Sequence, residues 1–275
     1  MKRSLRVLSV IFVLLTSFSS HLFAQTTAAD ELNLGVQAFK RSKFEEAIQH
    51  FEKCVALAPE NPVAHLYLAT AYSEQYIPGV ETPENDRMAE HAIEQYQHVL
   101  DSNPLVPSAR SSAKGIAYLY LQMKKFDDAK KYYRMASDLD PDDPENYYSI
   151  GVIDWTQTYA PRQEERSKLG MKPDEALSAR DKRVCAEMRE KNTANVQEGI
   201  DNLNKALKLR PDYDDAMAYM NLMYRERADI QCDDPAAGAA DLKTADDWVD
   251  KTMATKKAKA EKAAPSTEPT GTNPH

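Results

Sequence analysis

Apolar residues recur at three- and four-residue spacing along nearly the whole chain, the period of amphipathic helices rather than of strands. A longer repeat underlies that period. Ala47, Ala92, Ala129, Gly199 and Ala245 are small residues, each followed four positions later by a bulkier one: Phe51, Tyr96, Tyr133, Leu203 and Val249. Three positions further on come Cys54, Val99, Ala136, Ala206 and Thr252. In the first four copies a proline follows five positions later, at Pro59, Pro104, Pro141 and Pro211. Proline there ends a helix, because it lacks the N–H and crowds the preceding turn.

A second set of markers precedes the first. Leu34-Gly35, Leu68-Ala69, Ile116-Ala117, Ile150-Gly151 and Met220-Asn221 each pair an apolar with a small or medium residue. Small residues let two helices approach closely, and bulky ones fill the space between them. A single helix pair cannot bury its apolar face alone, so such pairs stack. The spacing predicts five helix pairs.

From second-helix marker to the next first-helix marker the chain runs 22, 25, 22 and 22 residues. Within a pair it runs 12, 23, 12, 48 and 24 residues. The extra length therefore sits in the turns inside pairs 2, 4 and 5, which all project from one edge of a stack. Pro78-Gly79 stops the first helix of pair 2, and Thr82-Pro83 reads as an N-cap with proline at the first helical position. Asp234-Pro235 repeats that start in pair 5. Pro161 and Pro173 bracket a polar stretch in pair 4, followed by an extra helix expected over about 174–191, from the spacing of Leu177, Val184 and Met188.

The stretch from Leu32 to Asn61, LNLGVQAFKRSKFEEAIQHFEKCVALAPEN, resembles the tetratricopeptide repeat family at most of its positions. The resemblance covers about residues 28–255. It departs from the family pattern at Glu31, Ala38, His65, Asp154, Gly199 and Asn221. It implies an all-α, right-handed solenoid: repeats over 28–61, 62–106, 107–143, 144–213 and 214–255, with the long insertion at about 160–195. Ligands of this family usually lie along the concave face made by the first helices. Carried over by register, that places Phe39, Thr70, Tyr118, Leu121, Tyr148, Trp155, Leu222 and Arg225 on or near a groove, with Tyr219 adjacent. Aromatic residues and arginine suit such a surface because they bury much area and still hydrogen-bond. The family's carboxylate clamp uses a basic residue and asparagine. Leu32 and Val36 stand at those places in the first repeat, so recognition of a chaperone C-terminal carboxylate is not expected.

Composition agrees with helices: only 8 glycines in 275 residues. The N-terminus adds a destination. Lys2, Arg3 and Arg6 precede an apolar run from Val7 to Phe18, then a polar-to-small stretch ending at Ala24. This is the profile of a secretory signal at 1–24, too short for a comfortable membrane span. Leu22 is larger than the residue usual three positions before cleavage, which leaves an uncleaved anchor as the alternative. Cleavage removes three basic and no acidic residues, leaving 32 basic against 43 acidic. That balance repels nucleic acid and anionic lipid, so neither a nucleic-acid partner nor a membrane span in the mature chain is expected. Lys256–Lys262 reads as a frayed helix end leading into a disordered tail over 256–275.

Candidate chemistry is sparse. The sequence holds no phosphate-binding glycine loop, CxxC, HExxH or GxSxG. His91 and His98 stand seven apart, too far to share a metal without a third group, and Asp140–Asp143 is a capped turn rather than a calcium loop. No cofactor or metal is expected. Glu164, Glu165, Asp174 and Glu175 are the only acid/base candidates, in a charged stretch with no means of desolvation. Cys54 takes a buried repeat position. Cys185 and Cys232 fall on neighbouring insertions. Two separate thiols are the expectation and a disulfide the alternative, because pairing needs Cα atoms within about 7 Å.

The sequence therefore reads as a non-enzymatic interaction module, periplasmic or secreted, binding a peptide or protein. The alternatives are an enzyme or enzyme subunit using the fourth insertion, and a structural component self-associating through the C-terminal repeat around Trp248 and Met253.

Overall fold

The structure, a computed structural model, describes residues 26–172 and 175–263. The signal segment expected at 1–24 and the residues 264–275 lie outside these. Eleven helices are present among the described residues: α1 (Ala28–Lys40), α2 (Phe44–Leu57), α3 (Pro62–Gln75), α4 (Pro83–Asp101), α5 (Val106–Gln122), α6 (Phe126–Leu139), α7 (Pro144–Lys168), α8 (Leu177–Arg180), α9 (Lys182–Leu209), α10 (Asp214–Asp229) and α11 (Pro235–Ala263). They pack as consecutive pairs, α1 on α2, α3 on α4, α5 on α6, α7 on α9 and α10 on α11, with α8 a single turn against α9.

Local chemistry sets the helix starts. The Thr27 hydroxyl accepts from the Asp30 N–H while the Asp30 carboxylate accepts from the Thr27 N–H, a capping box. Asn61, Thr82 and Asp143 cap α3, α4 and α7, each followed by proline at the first helical position. Asp234 accepts from the Ala237 N–H at the head of α11. The small-residue markers do what spacing requires of them. A Cβ on Gly35 would stand 2.4 Å from the Phe51 ring, and one on Gly151 2.6 Å from Leu203. Two departures from the family pattern, Glu31 and His65, are buried yet hydrogen-bonded. Glu31 meets His50 and Thr26, and His65 meets Gln95 and the Pro59 carbonyl. Buried polar groups persist where partners of this kind offset their lost hydration.

First helices of neighbouring pairs touch each other, α1 with α3, α3 with α5 and α7 with α10. The backbones of successive second helices approach less closely, and α4, α6 and α9 meet through long side chains such as Tyr132 on Gln97 and Lys130 on Glu198. The array therefore curves with the first helices on its inner side.

The fourth pair departs from the sequence reading. Pro161 does not break α7, which runs on for 25 residues to Lys168. Interior proline costs about 3 kcal/mol, but the continuation is held to α10. Arg162 meets Glu226 at 2.9 Å and Asp229 at 2.5 Å, and Arg166 meets Asp229 at 3.1 Å. The expected separate helix over about 174–191 is also corrected. Leu177 belongs to α8, and Asp181 caps a new start by accepting from the Arg183 and Val184 N–H groups. From there α9 runs unbroken for 28 residues through the whole second helix of the repeat. Leu177, Val184 and Met188 are all buried in one cluster with Met220 and Met223. The fifth pair is longer than expected too: α11 continues to Ala263, so residues 256–263 are helix rather than tail. Lys259 and Lys256 reach Asp214 at the head of α10, which holds this end in place.

Candidate functional site

The inner face carries two connected features. The first is a cleft of about 490 Å³ built on α3, α5 and α7 with Tyr133 reaching in from α6, its other walls formed by Tyr76, Lys114, Tyr118, Glu145 and Ser149. Its frame is rigid. Lys114 reaches Asp143 at 2.6 Å, and Glu145 takes the Arg210 guanidinium at 2.8 Å and the Tyr213 hydroxyl at 2.6 Å. Gly115 leaves room for the Tyr96 ring, which a Cβ there would meet at 2.5 Å. Burial raises the Tyr76 and Tyr133 hydroxyls above the usual phenol range, so both stay protonated and able to donate. Tyr118 is the exposed ring of the three, at 43%.

The second feature is a run of aromatic rings on α7 and α10. Tyr148 lies 4.9 Å from Tyr213 and 5.6 Å from Tyr219, Tyr219 lies 5.4 Å from Trp155, and Trp155 stacks on Tyr159 at 4.7 Å, all between ring centroids. Edge-to-face and stacked contacts of this kind hold the rings in fixed orientation. The indole Nε1 of Trp155 is buried with no hydrogen-bond partner among the described residues.

The residues named from sequence divide into three groups. Tyr118 lines the cleft, and Tyr148, Trp155 and Tyr219 form the aromatic run. Phe39, Thr70 and Leu121 serve packing more than display. Phe39 sets its ring edge against Phe44, Thr70 donates to the Leu66 carbonyl and accepts from Tyr96, and Leu121 packs on the cluster around Tyr133 and Ile150. Leu222 is half-buried, and Arg225 is drawn aside to Asn221 and Asp246. Tyr76, Lys114, Tyr133, Glu145 and Tyr159 were not read from the sequence. Tyr133 was seen only as a bulky filler, and the others sit off the register used to place a groove.

Two buried charge clusters flank this face. Lys130 of α6 reaches Asp154 of α7 at 2.7 Å and Glu198 of α9 at 3.0 Å, and Arg134 adds a second cation on Glu198. Burial outweighs the lysine and pushes the Asp154 carboxyl up to about 7. Glu226, beside Arg162, is also pushed up to about 7 by burial. The first cluster was signalled by charge at a repeat position that is apolar in three other repeats, since Lys130 stands where Ile48, Ile93 and Ile200 do; Glu226 stands where Lys40, Glu74, Gln122 and Thr156 do and carries no such signal.

The Cys185–Cys232 pairing is decided against the expectation of separate thiols. The two form a disulfide with Cα atoms 5.7 Å apart, fastening α9 to the turn before α11. Cys54 is free and fully buried beneath α1. The acid/base candidates of the fourth insertion gather into no site: Glu164 and Glu165 are paired in solvent with Lys168, and Asp174 lies outside the described residues. Among the described residues no group of three or more His, Cys, Asp or Glu is placed to hold a metal, and no helix is long and apolar enough to cross a membrane.

Residues 33–61 and 115–143 match the family model for the tetratricopeptide repeat. Sequence comparison with curated proteins returns no match. Among solved structures the chain is similar to a MamA protein, at 13% identity and a TM-score of 0.58 over 88% of this chain and 98% of that one. MamA from Desulfovibrio magneticus RS-1 is similar at 15% identity, TM-score 0.55, covering 84% of this chain and 96% of that one. YrrB, described as a TPR protein with an unusual peptide-binding site, is similar at 13% identity, TM-score 0.51, over 85% and 92%. At such identities the likeness is one of fold. Two helix pairs thus carry the tetratricopeptide repeat, inside an array with the fold of tetratricopeptide-repeat structures over most of its length.

Proposed function

We propose that this chain is an exported, non-enzymatic interaction scaffold that holds a peptide or protein segment against its inner face. The cleft on α3, α5 and α7 carries the reading. It presents an exposed tyrosine, two protonated buried tyrosines and a lysine on a frame of ion pairs already formed. A preformed site loses little conformational freedom on binding, so contacts are not spent on ordering it. The tyrosine hydroxyls and Lys114 suit the carbonyl groups of an extended backbone, and the rings suit apolar side chains. The YrrB likeness supports a peptide ligand by analogy of fold only.

Export is supported by the basic and apolar N-terminal segment and by the disulfide, since such bonds persist in oxidising compartments. A mature N-terminus near Gln25 is the expected result of sequencing the protein from cells; a chain still starting at Met1 removes this part.

A photo-crosslinking residue at Tyr118 tests the site. A defined adduct is expected from Tyr118 and not from Glu94 on the outer side, and Tyr118→Ala should lower partner capture without moving the melting temperature. Adducts from Glu94 alone would sink the reading. The self-association expected at the C-terminal repeat concerns a different surface, taken up next.

A further inference from the structure

The last second helix, α11, is bare where its counterparts are covered. Phe51, Tyr96, Tyr133 and Leu203 hold one repeat position and are 0%, 5%, 6% and 0% exposed, because the next first helix lies over them. Val249 holds that position in α11 and is 39% exposed. Leu242 and Met253, at the flanking positions, are 44% and 64% exposed. The opposite end of the array differs. The outer face of α1 shows Asp30, Asn33, Gln37 and Arg41 with Leu34 alone among them, which is a polar cap. Residues 264–275 include three prolines and no bulky apolar side chain.

The pattern along the stripe says what fits it. Leu242, Asp246, Val249, Met253, Lys256 and Ala260 follow one another at alternating spacings of four and three, and all six are exposed. This is the spacing of a helix–helix seam. It is also self-complementary about residue 251. Reversed onto itself, Val249 faces Met253, Leu242 faces Ala260, and Asp246 faces Lys256, each with a second ion-pair partner in its own chain, Arg225 at 2.7 Å and Asp214 at 3.9 Å. Parallel pairing would instead set Asp246 on Asp246 and Lys256 on Lys256. A head-to-tail contact would lay the polar face of α1 on the apolar stripe.

We infer that the exposed stripe of α11 is a docking surface for a second copy of this chain, forming a twofold dimer through antiparallel α11 helices. A twofold contact uses the same patch on both subunits, so each interhelical ion pair and apolar contact occurs twice. The dimer leaves both inner faces open, and the inference does not depend on what they bind.

Sedimentation equilibrium of the purified protein tests this. A monomer–dimer equilibrium is expected, abolished by Val249→Asp and, separately, by Met253→Asp. Both side chains are exposed, so an unchanged melting temperature shows that the variants still fold. Asp246→Lys and Lys256→Asp should each weaken the dimer about tenfold, since two weak surface pairs turn repulsive. The combined swap should restore it. A wild-type monomer at every concentration overturns the inference and leaves the stripe to a helix of another protein. Open-ended polymers, or a double swap that fails to restore association, overturn the twofold antiparallel arrangement.

Discussion

Cys185 at the start of α9 is bonded to Cys232 in the turn between α10 and α11, closing a loop of 47 residues. The bond ties the fourth pair to the fifth where the insertions project. In the chain-entropy account a loop of this length stabilises the fold by about 4 kcal/mol. Cys232→Ser should therefore lower the urea midpoint markedly, and the double variant with Cys185→Ser should fall no further. A variant as stable as wild type would remove the bond's structural role.

Cys54 supplies a companion measurement. It is fully buried and donates to the Ala28 carbonyl at 3.1 Å. Alkylation without reductant should label no cysteine in the folded protein and one after unfolding. Reduction should raise the count to three. Mass analysis of intact protein reads all of these.

Gly35 lies against the Phe51 ring, where a Cβ would stand 2.4 Å from carbon. Gly35→Val should cost about 1–3 kcal/mol through overpacking. Gly35→Ala sets the same clash against a helix-propensity gain of about 1 kcal/mol, and should come out smaller. Chemical denaturation of the two variants orders them.

The pH dependence has a defined sign. Asp154 and Glu226 are pushed up to about 7 by burial, which the facing cations Lys130 and Arg162 only partly offset. The folded chain holds these protons more tightly than the unfolded chain, whose carboxyls titrate near 4. Their contribution to stability is thus complete below about pH 4 and is lost as pH rises to about 7. Asp143 and Glu198 shift the other way, held down by Lys114 and by Arg134 despite burial, and act only at more acid pH. Stability should fall between about pH 4 and about pH 7, and Asp154→Asn should flatten the fall. A wild-type profile flat over that range would contradict it.

Arg162 continues α7 past Pro161 by pairing with Glu226 and Asp229. Arg162→Ala should cost about 3 kcal/mol, because it takes from buried Glu226 its paired cation while Asp229 keeps Arg166. Glu226→Gln in that background should recover part of the loss. Thermal melts of the single and double variants measure both.

Much of the fold was legible before any coordinates. The five small-residue markers, the bulky residue four positions later and the closing prolines describe helix pairs because close packing leaves few residue types at those places. Cap and proline pairs at Asn61-Pro62, Thr82-Pro83 and Asp143-Pro144 mark helix starts by local bonding alone. The groove was legible only in part. Register named Tyr118 of the cleft and Tyr148, Trp155 and Tyr219 of the aromatic run but not Tyr159 or Tyr213, and it also named Phe39, Thr70 and Leu121, which are half-buried in packing contacts. Register gives the face of a helix, whereas exposure depends on which neighbour lies against that face.

What the sequence alone determined is what depends on residues close along the chain: helix period, caps and the repeat. What only the tertiary structure decided depends on partners far apart. Pro161 sits inside a helix because Arg162 and Arg166 find carboxylates on α10, more than sixty positions away. Cys185 meets Cys232 because two insertions fold onto one edge. Val249 is bare because, among the described residues, no first helix lies over α11. The energies that settle these points come from long-range ion pairs, a covalent bond and the burial of faces, and none of them is written in the spacing of neighbouring residues.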